Sequence, residues 1–221
     1  MPDASPGSST SLAQPSGPRD VHLALAGALM AVLFAATVLL VDHRWAPLLK
    51  ADQSARDGLH YYGINRPGFV HTMQVISASG SPLAWVVILT PVVVCLLWRR
   101  LPRLAVFVVV AVLGSALLNV VVKTVVHRAR PVLTDPVAHA HGLSFPSAHA
   151  QGAAVGYVLL LLVVLPLLSR RWRKGAVTFA VVAVLVIGFS RIALGVHYVS
   201  DVAGGYFLGV AWVAALAIAF D

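Results

Sequence analysis

The chain has 221 residues, of which 59% are hydrophobic and only 11% charged, with a mean hydropathy of +0.86. A soluble domain carries about 25% charged residues, so the composition is that of an all-α polytopic membrane protein. The formal charge of +8 rests on eight Asp and no Glu; with no basic-aromatic stripe to suggest nucleic acid, the anionic partners that fit are lipid head groups and phosphates.

In chain order, residues 1–20 are rich in Ser, Pro, Gly and Ala and have no apolar period, as expected of a disordered tail. Residues 21–221 then form one membrane domain. Its first apolar run, about 21–41, matches the ~20 residues that a bilayer requires and is long for the core of a cleaved signal peptide. A polar segment over 42–69 carries Arg44, Lys50, Arg56 and Arg66. Residues 67–79 are mildly amphipathic and read as an interfacial stretch, broken by Gly80-Ser81-Pro82.

A second span over 83–98 ends in Arg99-Arg100-Leu101-Pro102-Arg103, and a third covers 104–126. A polar loop holds 128–144. The fourth span opens in the Phe145-Pro146-Ser147 region and ends near 168, before Arg170, Arg171, Arg173 and Lys174. The fifth covers 175–194 and the sixth 199–220, which makes six transmembrane helices. Gly205 and Gly209 form a small-xxx-small face suited to close helix packing. The single Cys95 rules out an internal disulfide and a cysteine metal site.

A raw count of basic residues does not orient the chain. With a cytoplasmic N-terminus, eight lie inside (Arg19, Arg99, Arg100, Arg103, Arg170, Arg171, Arg173, Lys174) and eight outside. Four of the outside group (Lys123, Arg128, Arg130, Arg191) have another reason to be there. Without them the balance is eight to four, so both termini are expected in the cytoplasm.

That other reason is chemical. In a six-span chain the ends of spans 3 and 5 and the starts of spans 4 and 6 share one membrane side. Lys123, His127, Arg128 and Arg130 lie at the first of these ends; Ser147 and His149 open span 4. Arg191 closes span 5, and His197 with Asp201 opens span 6. Ionisable groups cost about 2.5–3.5 kcal/mol each at mid-bilayer, so such a gathering calls for a function. A scatter of satisfied polar loop residues is the plainer reading of each segment, but it does not account for three segments converging.

A phosphate ligand gives every group a role. Lys123, Arg130 and Arg191 supply charge and donors, the guanidiniums bidentately. The start of span 4 offers free N–H groups and the positive end of a helix dipole, with the Ser147 hydroxyl beside them. Asp201, one turn after His197, can hold one ring nitrogen as N–H and leave the other lone pair free to attack phosphorus. His149 can protonate the leaving oxygen. The sequence has no carboxylate cluster for Mg²⁺ and no zinc spacing, so no metal or other cofactor is expected. His139 and His141 read as loop residues or the rim of the site.

Lys123-x6-Arg130-Pro131, Pro146-Ser147-Ala148-His149 and Ser190-Arg191-x5-His197-x3-Asp201 resemble the three motifs of the type 2 phosphatidic acid phosphatase (PAP2) superfamily. That family includes membrane lipid phosphatases, undecaprenyl diphosphate phosphatases, glucose-6-phosphatase and vanadium haloperoxidases. The resemblance implies a PAP2-like helical bundle and a metal-independent phosphatase that works through a phosphohistidine on His197. It implies that Asp201 orients His197, that His149 is acid and then base, and that Lys123, Arg130, Ser147, Ala148 and Arg191 bind phosphate. Ala148 stands where the family usually has Gly, and keeps the backbone N–H that contacts phosphate. Arg128, a frequent companion of the first motif, joins as an accessory candidate.

The expected activity is hydrolysis of a lipid phosphate or diphosphate, such as a polyprenyl diphosphate, phosphatidic acid or phosphatidylglycerol phosphate, at the extracytoplasmic face of the cell membrane. Besides that substrate the partners are membrane lipids. A lipid phosphotransferase shares the site chemistry. An ion-coupled transporter is the alternative from another class, but it would place its charges near mid-span or at broken helices.

Overall fold

The structure is a computed structural model that describes residues 18–220. Of the tail expected at 1–20, residues 1–17 lie outside the described residues, and 18–20 already belong to the first helix. Among the described residues eight α-helices follow one another: α1 (Pro18–Asp42), α2 (Ala46–Ile64), α3 (Pro67–Ser79), α4 (Pro82–Trp98), α5 (Pro102–Val126), α6 (Ala148–Val164), α7 (Arg170–Ala193) and α8 (Val199–Phe220). A short 3₁₀ turn, Leu165–Leu167, extends α6. The described residues contain no strand.

Local chemistry sets the starts. A proline lies in the first turn of α2, α3, α4 and α5, where its fixed φ suits a helix and its missing N–H costs nothing. Ser81 caps α4 by accepting the Ala84 N–H at 3.2 Å, and Ser147 caps α6 by accepting the Ala150 N–H at 3.5 Å. The α7–α8 turn depends on Gly195, whose φ of +70° is costly for a residue with a Cβ; a Cβ there would also meet Leu133.

Among the described residues five helices are long and apolar enough to cross a membrane, and six if α3 and α4, bent by 43° at their junction, count as one span. The protein is therefore a multi-pass membrane protein. Two expectations change. Residues 67–79 form a helix of their own that Ser81 and Pro82 follow at once with a second, so the two together have the length and apolarity of one bent span. The polar segment after α1 is largely the 19-residue helix α2, which carries the buried Asp52.

α8 is the central packing element. On one side it meets α1, where a Cβ on Gly27 would stand 2.9 Å from the Ala214 Cβ. On another, Gly205 and Gly209 let it approach the α6 backbone: a Cβ on Gly205 would lie 2.7 Å from the Ser147 carbonyl oxygen. The expected small-residue face is thus a packing face. Trp212 of α8 lies over Gly114 of α5, and its indole N–H donates to the Ala111 carbonyl at 2.8 Å. This packing brings the end of α5, the start of α6, the α7–α8 turn and the start of α8 together at one end of the bundle.

Candidate active site

Asp201, in the first turn of α8, is fully buried and has a donor at each carboxylate oxygen. Oδ1 accepts from Arg128 Nη1 at 2.7 Å. Oδ2 accepts from the Ser144 hydroxyl at 2.5 Å and the Tyr198 N–H at 2.9 Å, and lies 3.3 Å from His197 Nδ1. A carboxylate at Nδ1 requires N–H there, so the His197 proton sits on Nδ1 and the lone pair on Nε2. The other face of the ring agrees: Arg130 Nη1 is 3.0 Å from Nε2, and a guanidinium can only donate. Burial of the imidazole, 1% exposed, pushes the His197 pKa down to about 4. The ring is therefore neutral at pH 7.

Arg130 is held above that ring by the His141, Gly142 and Val196 carbonyls at 3.2, 3.1 and 2.8 Å. Burial lowers its pKa from the ordinary arginine value, and the Asp201 carboxylate opposes that shift. Lys123, near the C-terminus of α5, donates to the Leu143 carbonyl at 2.8 Å. Arg191, in the last turn of α7, donates from Nη1 to the Ser77 hydroxyl of α3 at 2.5 Å, and its buried Nε–H has no partner among the described residues. A buried charged donor left open is costly, and an anion is what would satisfy it.

His149 is half-buried in the first turn of α6 and within electrostatic range of Arg191, His197, Arg130 and Lys123. Ser147 is buried at the cap of that helix, its N–H bonded to the Asp201 carbonyl at 2.9 Å. The N–H groups of Ala148 and His149, which follow it, have no intrahelical acceptor. A cavity of about 220 Å³ opens beside Arg130, bounded by Pro131, Leu133, His139 and Val196. His139 lines it, as a rim residue would, while His141 contributes its carbonyl to Arg130.

The structure thus gathers Lys123, Arg130, Ser147, Ala148, His149, Arg191, His197 and Asp201 at one end of the bundle. Arg128 is committed to carboxylates: besides Asp201 it binds Asp52 at 2.8 Å, and its guanidinium stacks on Tyr198 at 4.2 Å. Four site residues were not expected from sequence: Asp52, Ser77, Ser144 and Ser200. Each lies outside the charged motifs or adds only a hydroxyl, and Asp52 is one acid in a polar stretch. Among the described residues no three His, Cys, Asp or Glu side chains form a metal-binding group.

Comparison with known proteins identifies the family and the fold. The family model described as "PAP2 superfamily" matches residues 104–221. Phosphatidylglycerophosphatase B of Bacillus subtilis is 43% identical over 97 residues, covering 42% of this chain and 47% of the relative, so the match spans about half that protein's length. Decaprenylphosphoryl-5-phosphoribose phosphatase of Mycobacterium tuberculosis is 33% identical over 153 residues, covering 66% of this chain and 77% of the relative. The crystal structure of a transmembrane PAP2-type phosphatidylglycerolphosphate phosphatase from Bacillus subtilis superposes with a TM-score of 0.69. It is 28% identical, over 90% of this chain and 94% of the other.

Proposed function

The chain belongs to the PAP2 superfamily, and on that footing we propose that it is an integral membrane phosphatase that hydrolyses a lipid phosphate or diphosphate through a phosphohistidine. The observation that carries the reading is the polarised imidazole of His197. Its Nδ1 is tied to Asp201 and its Nε2 lone pair faces Arg130, with the open Nε–H of Arg191 in the same cluster.

Phosphate draws Arg130 from Nε2 onto its oxygens, and Lys123, Arg191, the Ser147 hydroxyl and the Ala148 N–H supply the remaining donors. His197 Nε2 forms the bond to phosphorus as the ester or anhydride oxygen leaves, and His149 gives that oxygen its proton. Asp201 stabilises the cationic ring that results. In the second step His149 takes a proton from water; the water oxygen bonds to phosphorus and the Nε2–P bond breaks. The cations neutralise charge that a metal ion handles in other phosphatases.

The relatives act on lipid phosphates with different tails and head groups, which supports a substrate that offers a phosphate at the interface beneath an apolar chain. The dense Arg99–Arg103 and Arg170–Lys174 loops support cytoplasmic termini and an extracytoplasmic site in the cell membrane. The test is phosphate release by detergent-purified protein in excess EDTA, from phosphatidic acid, phosphatidylglycerol phosphate, a polyprenyl diphosphate and decaprenylphosphoryl-phosphoribose. At least one substrate should be turned over, and His197→Ala should abolish that turnover. Loss of activity in EDTA, restored by Mg²⁺, would refute the mechanism.

A further inference from the structure

Asp52 lies on α2 and is 1% exposed. Its Oδ1 accepts the Ser200 N–H at 2.9 Å; its Oδ2 accepts the Ser200 hydroxyl at 2.5 Å and Arg128 Nη2 at 2.8 Å. Arg128 Nη1 in turn donates to the Ser200 hydroxyl and to Asp201 Oδ1, both at 2.7 Å. One guanidinium therefore lies between two buried carboxylates and gives each a different nitrogen. Burying two anions and a cation costs several kcal/mol per ion before pairing. An apolar side chain would anchor α2 with less penalty, so the arrangement calls for a role beyond anchoring.

The geometry of Asp201 supplies one. Arginine and a lone carboxylate favour the two-toothed arrangement in which both oxygens are taken. If Arg128 bound Asp201 that way, it would compete for Oδ2, the oxygen that holds His197 Nδ1. By occupying Nη2, Asp52 restricts Arg128 to Oδ1. We infer that Asp52 is a positioning residue: it keeps Arg128 single-toothed on Asp201, so that Oδ2 remains for His197. The inference rests on the phosphohistidine reaction proposed above, and it makes α2 part of the active site.

The experiment compares wild type with Asp52→Ala, and with Asp52→Asn should the first fail to fold. Two readouts are taken on the detergent-purified full chain. The first is kcat and KM for whichever lipid phosphate the wild type turns over. The second is the ¹⁵N spectrum of histidine-labelled protein, with the His197 signals assigned by His197→Gln. Loss of Asp52 should lower kcat about 10–100-fold, by analogy with the outer-shell partners that orient metal-bound ligands, and leave KM close to wild type. The His197 signals should change from a single Nδ1–H tautomer to a mixture. An unchanged kcat, or a fall in kcat with an unchanged tautomer, overturns the inference. Absence of phosphate release by the wild type would count against the proposed reaction, and the tautomer signal then decides the role of Asp52 alone.

Discussion

At the scale of single residues, the site separates two histidines by environment. His197 is enclosed: a carboxylate holds one nitrogen and a guanidinium faces the other. His149 is half-buried, and its side chain has no hydrogen bond among the described residues, which suits the proton exchange proposed for it. Their roles should come apart on substitution. His197→Ala should remove turnover of every substrate and any trapped phospho-enzyme. His149→Ala should cripple lipid substrates, whose alkoxide leaving groups need a proton, and partly spare an activated aryl phosphate. General acid catalysis is worth about 10²–10⁴-fold, so the contrast between substrates is measurable by steady-state kinetics. Labelling of His197→Ala by a phosphate donor, with none in His149→Ala, would exchange the two assignments.

At the scale of elements, the α6–α8 contact joins packing to chemistry. Gly205 faces the Ser147 carbonyl, and Ser147 both caps α6 and bonds to the Asp201 carbonyl. A methyl group at Gly205 cannot be absorbed by rotating a side chain, because the atom that it meets is backbone. Gly205→Ala should push the start of α6 away from α8, at the cost of about 1–3 kcal/mol typical of overpacking. Both the thermal midpoint in detergent and kcat should fall. Gly175→Ala, where a Cβ meets nothing within 4 Å, is the control and should lower neither. Equal thermal midpoints for the two variants would show that this contact tolerates separation.

At the scale of the whole molecule, the question is which way the bundle faces. The site lies at one end, and the loops between α4 and α5 and between α6 and α7 lie at the other. Reactivity of introduced cysteines reads this directly. In a Cys95→Ser background, Asp135→Cys, exposed in the site loop, should react with a membrane-impermeant thiol reagent in intact cells. Ser169→Cys, exposed before α7, should react only after permeabilisation. The reverse pattern would put the site in the cytoplasm and change the pool of lipid phosphates that it meets.

Sequence alone determined that the chain is a bundle of membrane-spanning helices and named the charged side chains that meet at one end of it, for a physical reason. Bilayer thickness dictates the length of each apolar run, and alternation of spans dictates which ends share a side. His197 and Asp201 lie one helical turn apart, so their pairing is local and can be read from spacing. Tertiary structure decided the rest. Asp52 is 76 residues from Arg128 and 148 from Ser200, and no period or motif links such positions. Arg191 meets Ser77 across 114 residues because α3 packs against α7. Arg128 was an accessory candidate with no assigned partner; only the packed α2 showed its guanidinium divided between two carboxylates. A buried ion cluster is set by which helices touch, and that depends on small residues such as Gly205 admitting a close approach.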